Sequence, residues 1–296
     1  MSEQIDLYLD RLRAVLAGSD TATVHDAIAD AEEHLRTALE GAKHSAPDAT
    51  DAELLAPILA QYGTPEEVAK AYLDLETRMV PTFAPRTPVA HRSVVGRVVG
   101  VLVDPRAYAA LLFMLFSLIT GVLFFTWAVT GISLSLGLAI TILGLPFFGF
   151  FVYSVEGLAL VEGRIVEAML GVRMPRRQSP PQKGIGVWRR FKARLTDKRG
   201  WTSILYMILK LPLGVLSFSV FITLIAYALQ LILHPVIRWL WDAPFINISG
   251  VEYFVPVGLY PVFLIAGILD LILILHLARF AAKGYGAMAK AMLVRA

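Results

Sequence analysis

Cysteine is absent from all 296 residues, which removes disulfides, thiol nucleophiles and thiolate metal sites. Charge is absent from Ala107 to Val155, a run of 49 residues without Asp, Glu, Lys, Arg or His. One membrane helix needs roughly 20 apolar residues, so the run holds two and must turn inside itself. Thr130-Gly131-Ile132-Ser133 is the natural place. An early apolar run is absent as well: residues 1–80 are polar, and no secretory signal pattern is expected there. Also missing are a Walker A glycine loop, a nucleophile elbow and an HExxH pair. The six histidines are scattered, and His25, Glu33 and His34 lack the spacing of a metal site on one helical face. A non-enzyme without cofactor or metal is expected.

What is present is apolar. Such residues make up 56% of the chain and the mean hydropathy is +0.63. A second apolar block runs from Trp201 to Leu233, interrupted by Lys210, and a third from Tyr253 to Leu277, interrupted by Asp270 and His276. An open strand cannot satisfy its backbone in lipid, so helices are expected. The predicted fold is all-α. It has spans at about 108–130, 132–155, 202–230 and 254–277 in a membrane domain over 97–296. Residues 1–80 form a small acidic helical domain, joined to it by a linker over 81–96.

The formal net charge of +3 conceals an asymmetry. Residues 1–80 hold 16 acidic and 6 basic side chains, whereas residues 81–296 hold 8 and 21. Arg86, Arg92, Arg97 and Arg106 precede the first span, eleven Lys or Arg lie in 156–200, and Arg279, Lys283, Lys290 and Arg295 follow the last span. By the positive-inside rule both termini and the loop 156–200 are cytoplasmic in a multi-pass cell-membrane protein. The opposite side carries the turn near 131 and a loop over about 234–252.

The membrane part reads as two copies of one hairpin. "DPRAYAALLFMLFSLITGVLFF" (104–125) and "DKRGWTSILYMILKLPLGVLSF" (197–218) share nine of 22 positions at an offset of 93 residues. Asp104, Arg106, Leu112, Met114, Leu118, Gly121, Val122, Leu123 and Phe125 recur. "EGRIVEAML" (162–170) is echoed by "YGAMAKAML" (285–293). Both copies start and end on the cytoplasmic side, so the repeat is parallel, whereas inverted repeats are the stronger signature of transporters.

Lys210 takes the place of Ser117 in the repeat, so the hairpin itself does not require the charge. It lies nine residues beyond Trp201, and Asp270 lies nine residues before Arg279. At 1.5 Å per residue both sit roughly 13 Å from the same edge. Intramembrane charges face the bundle interior and pair, so Lys210 and Asp270 are a candidate ion pair. Snorkelling of the lysine along its own stem is the plainer alternative.

The acidic domain shows helical periodicity over about 3–17, 23–42 and 51–61. Gly63 stops the third helix. Thr64-Pro65-Glu66-Glu67 starts a fourth, with a capping box between Thr64 and Glu67. Asp26, Asp30, Glu33 and Glu40 are placed on the outer face of the second helix, as a candidate docking surface for a basic partner or as a solvated face. Residues 174–187 read as a second linker. Arg176, Arg177, Trp188, Arg189, Arg190, Lys192 and Arg194 then mix cations with an aromatic ring, a pattern suited to anionic membrane lipid. No nucleic-acid-binding signature accompanies it, so direct nucleic-acid binding is not expected. On the other side, Trp239, Trp241, Asp242 and Phe245 are candidates for stimulus recognition or for plain interfacial anchoring. Asn247-Ile248-Ser249 matches a glycosylation acceptor.

Taken in order, "DPRAY", "LGLAITILGLPFF", "AMLGVRMPRR" and "WRRFKARLTDKRGW" followed by "LYMILKLPLGVLSF" resemble the sensor domain found ahead of histidine kinases in actinobacteria. "AEEHLRTAL" and "QYGTPEEVAKAYL" resemble the HAAS-type helical signalling domain. The resemblance implies a non-enzymatic membrane sensor that passes a membrane or extracytoplasmic stimulus to a cytoplasmic regulator, a PadR-like transcription factor or a separate kinase. No phosphoacceptor helix or ATP-binding module is seen in this sequence. A small transporter or transporter subunit and a lipid-binding scaffold are the competing expectations, and a homodimer fits any of the three.

Overall fold

The computed structural model describes residues 3–78, 94–141, 143–176 and 198–294. It contains α1 (Glu3–Val15), α2 (Thr21–Ser45), α3 (Asp51–Tyr62), α4 (Pro65–Arg78), α5 (Val94–Val99), α6 (Pro105–Leu138), α7 (Gly144–Leu170), α8 (Lys198–Trp241) and α9 (Tyr260–Leu293). A small hairpin, β1 (Ile246–Ile248) and β2 (Val251–Tyr253), lies between α8 and α9. The protein is therefore mostly helical, and the hairpin is a small addition to the helical fold that the sequence led us to expect. Most of the linker expected at 81–96 and all but three residues of that at 174–187 lie outside the described residues. Two compact units are present. The first holds α1–α4, α6 from Gly131, α7, α8 to Tyr206 and α9 from Met288; the second holds α5, the rest of α6, α8 and α9, and the hairpin.

In the first unit, α1–α4 close around one apolar core. Ile5, Tyr8, Leu9, Leu12 and Leu16 meet Ala27, Ala31, Leu35 and Leu39 of α2, with Leu55 and Ala69 from the other two helices. Local chemistry fixes the helix ends. Asp20 Oδ1 accepts the Ala22 amide at 2.9 Å. Thr50 and Glu53 form a reciprocal capping box, and Thr64 and Glu67 form the expected second one, at 2.9 and 3.3 Å. Gly63 ends α3 at φ 102°, a conformation that favours glycine. Its carbonyl accepts the Tyr8 hydroxyl at 3.0 Å.

The predicted turn at 130–133 does not form. α6 continues to Leu138, and the chain turns at 139–141 and at 143. Gly131 is a packing residue rather than a breaker: a Cβ there would lie 2.1 Å from the Phe151 ring. Helical hydrogen bonding continues past it, and Ser135 Oγ donates to the Gly131 carbonyl at 2.6 Å. The helix expected at 132–155 is instead α7, which begins at Gly144 and runs to Leu170. Gly171, left-handed at φ 69°, ends it and donates its amide to the Glu167 carbonyl.

In the second unit, α6 and α8 approach through two glycines that the repeat relates. A Cβ on Gly121 would lie 2.8 Å from the Lys210 carbonyl, and one on Gly214 would lie 2.4 Å from the Ser117 carbonyl. The offset of 93 that turns Gly121 into Gly214 also turns Ser117 into Lys210, so the contact is reciprocal. α8 extends to Trp241, well past the expected 230, and α9 starts at Tyr260 rather than 254. The hairpin pairs Ile246 with Tyr253 and Ile248 with Val251. Ser249 (φ 53°) and Gly250 (φ 85°) make its tight turn, as two-residue hairpins require. Asn247 Oδ1 of the Asn-Ile-Ser motif accepts the Gly250 amide at 3.1 Å.

Candidate functional site

Among the described residues, three helical segments are long and apolar enough to cross a membrane: Pro105–Leu138, Gly200–Trp241 and Val257–Leu293. Their surfaces agree. Leu112, Phe116, Ile119 and Leu123 of α6, Leu205 and Leu216 of α8, and Ile265, Leu269 and Leu273 of α9 are exposed. Exposed apolar area on this scale marks contact with lipid or with another protein. The second unit buries a few polar side chains within its apolar interior. Lys210 has no exposed surface, and its Nζ stands 5.0 Å from the Phe113 ring centre and 5.8 Å from that of Phe124. Such cation–π contacts are worth about 2 kcal/mol or more when desolvated. The Tyr285 hydroxyl lies 3.2 Å from Ser117 Oγ and 3.3 Å from Ser217 Oγ, and its ring packs edge-on to Phe113. Asp270 Oδ2 is a buried atom without a hydrogen-bond partner. Oddness of charge pointed to Lys210 and Asp270 in the sequence. Tyr285 and Ser217 carry no such signal, because a hydroxyl in an apolar run is unremarked until a neighbour reaches it.

A second constellation lies in the first unit, where the "GVRMPR" segment leaves α7. Asp26 is buried, not on the outer face of α2. Its Oδ2 accepts Arg173 Nη2 at 2.9 Å and its Oδ1 accepts the Arg176 amide at 2.7 Å. Arg173 also reaches Glu76 at 3.4 Å and Glu167 at 3.6 Å, and Arg176 reaches Glu167 at 2.8 Å. Thr23 Oγ1 donates to Glu76. Met174 is fully buried and Gly163 leaves it room, since a Cβ there would stand 3.3 Å away. At the far end of α9, Lys290 pairs with Asp20. Carboxylates from α2, α4 and α7 thus hold two arginines in one mostly buried network. Charge-assisted, multidentate contacts of this kind are the strong ones.

This geometry corrects the docking surface. Asp30 is half-buried and accepts the Tyr72 hydroxyl at 2.5 Å, whereas Glu33 and Glu40 are exposed. The cause is the apolar face of α2, which is wide enough to carry Asp26 and Asp30 inward at its margins. Arg176 is held by Asp26 and Glu167; Arg177, Trp188, Arg189, Arg190, Lys192 and Arg194 lie outside the described residues. Trp239 and Trp241 end α8 with 82% and 71% of their surface exposed. Asp242 caps that end, paired with Arg238 at 2.8 Å. Phe245 turns inward onto His234 and Phe263, so the four are not one patch.

Residues 113–293 match the family model Sensor, whose description is "Putative sensor". The match covers more than half of the chain. The chain belongs to the Sensor family. The matched span includes the Lys210 cluster, the hairpin and the "GVRMPR" segment, while α1–α4 precede it. No match was found among curated proteins or among solved structures. Family and apolar helices together describe a membrane protein of sensor type. Among the described residues, no group of three or more His, Asp or Glu side chains is placed to hold a metal ion.

Proposed function

We propose that this Sensor-family protein is a non-enzymatic signal relay. Four membrane helices, arranged as two parallel hairpins with both termini cytoplasmic, detect a stimulus in the bilayer or beyond it, and the α1–α4 domain presents the result to a cytoplasmic regulator. The observation that carries this reading is the Asp26–Arg173–Glu167 network. It fastens the helical domain to the segment that leaves α7, so a change in α7 acts on α2 and α4 directly. The reciprocal contact of Gly121 and Gly214 supports the paired-hairpin arrangement. A two-state element is still required for signalling, and the network is well suited to be one, because its ions are held by geometry that a small displacement breaks. The partner-facing groups in this scheme are Glu33 and Glu40, which remain exposed, and the basic loop rests on anionic lipid.

Crosslinking in native membranes, followed by mass spectrometry, tests it with three forms: wild type, Glu33→Lys/Glu40→Lys, and Arg173→Glu. A single regulator captured by the wild type, lost on charge reversal and altered by Arg173→Glu is the expected result. Capture that is the same in all three forms overturns the relay. A transport function is the second reading, favoured by the buried Lys210 and by the buried Asp270 oxygen. It predicts a solute flux in proteoliposomes that Lys210→Met and Asp270→Asn abolish.

A further inference from the structure

The junction of α8, α9 and the hairpin holds a buried imidazole that neither the relay nor the Lys210 cluster uses. His234 is 2% exposed. The Phe245 ring stands 5.0 Å from it at 82°, and the Tyr260 ring 6.2 Å away at 88°. Phe263 closes the box behind Phe245, at 5.1 Å. His234 Nε2 is buried and makes no hydrogen bond. The next turn of α8 carries Arg238, which is already committed to Asp242 and lies 4.1 Å over the Phe254 ring. Of the other titratable groups of the hairpin, Glu252 and Tyr253 are exposed. The groups facing the imidazole are therefore two aromatic rings, Tyr260 among them, and one guanidinium on its own helix. Two features make this corner able to open. Pro235 follows His234 and lacks the amide that would bond back one turn. The ends of the hairpin touch α8 through the Gln230 amide on the Phe245 carbonyl, 2.8 Å, and through Arg238 over the Phe254 ring.

We propose that acidification is the stimulus this domain reads, with His234 as its proton-binding group. The inference deepens the sensor reading and rests on it. A neutral ring fits the aromatic box. A protonated ring brings a second N–H donor and a positive charge among aromatic rings, one turn from a guanidinium, and an unperturbed histidine changes charge between pH 5 and 8. Water must then reach the ring, which it does by displacing Phe245. Because Phe245 is the residue from which the hairpin departs, with its amide bonded to the Tyr253 carbonyl at 2.8 Å, the hairpin moves with it.

The full chain lacks cysteine, so nitroxide pairs can be placed without background. In nanodiscs, Leu229→Cys/Glu252→Cys reports the hairpin against α8, and Glu33→Cys/Val161→Cys reports the helical domain against α7; all four sites are exposed. The expected result is a lengthened and broadened hairpin distance at pH 5.5 relative to 7.5, absent in His234→Phe and in His234→Gln. An unchanged distance in the wild type, or the same shift in either variant, overturns the proposal. A hairpin that responds while the second pair does not upholds proton binding at His234 and refutes the relay.

Discussion

The crossing of α6 and α8 permits a prediction with opposite signs at similar residues. Alanine normally stabilises a helix by about 1 kcal/mol relative to glycine. At Gly214 the new methyl would stand 2.4 Å from the Ser117 carbonyl oxygen, and at Gly121 2.8 Å from that of Lys210, where ordinary contact begins at 3.4 Å. The neighbour is backbone in both cases, so no side chain can swing aside. The helices must part by about 1.0 Å for Gly214→Ala and about 0.6 Å for Gly121→Ala. A gap of 0.5–1 Å forfeits roughly a quarter to a half of each dispersion contact along the seam, and overpacking of this kind costs about 1–3 kcal/mol. Gly214→Ala should therefore destabilise the bundle by about 1–2 kcal/mol net, and Gly121→Ala by less. Gly137→Ala, where nothing lies within 4 Å, should be neutral or stabilising by up to ~1 kcal/mol. The double variant should be less than additive, since one separation relieves both clashes. Unfolding titrations of the full chain in bicelles measure all four. Equal stabilities for Gly214→Ala and Gly137→Ala would refute the close reciprocal crossing.

Three further predictions follow from the same reasoning. A double-mutant cycle of Asp26→Asn and Arg173→Gln should give a coupling of about 0.5–3 kcal/mol, because both side chains are mostly buried; hydrogen exchange of α2 reads it, and zero coupling would mean that the ions are only neighbours. Burial pushes the Tyr8 hydroxyl up to about 12, with Tyr62, Glu66 and Glu67 adding to the shift. The unfolded chain releases that proton near pH 10, so the stability this group contributes is whole below 10 and is lost as pH rises toward 12. Tyr8→Phe should remove that alkaline loss, read as exchange of α1. Hydrogen bonds from the Thr50 amide and hydroxyl hold the Glu53 carboxyl below its usual 4.5; the cap is whole above that value and fades as pH falls through the lowered one. Thr50→Ala should cost α3 about 0.5–2 kcal/mol at pH 7 and flatten its acid dependence, as circular dichroism and exchange would show.

Sequence alone determined what depends on local chemistry and on composition. The cap at Thr64–Glu67, the stop at Gly63, the apolar faces of α1 and α2 and the apolar character of the membrane runs are properties of a few adjacent residues, and they were legible there, whereas the helix ends in those runs were not. The glycine at 131 was legible as a glycine but not as a contact, since its role is set by Phe151, twenty residues on. Asp26 looked like every other acid on α2, because burial is decided by what covers a side chain, and Arg173 lies far away in the chain. Lys210 was conspicuous by its charge, yet only packing supplied the rings of Phe113 and Phe124 and the hydroxyls gathered by Tyr285. His234 carried no sequence signal at all. Its environment is built from residues 245, 260 and 263, and a hydrogen bond that is missing can be recognised only once every neighbour is in place.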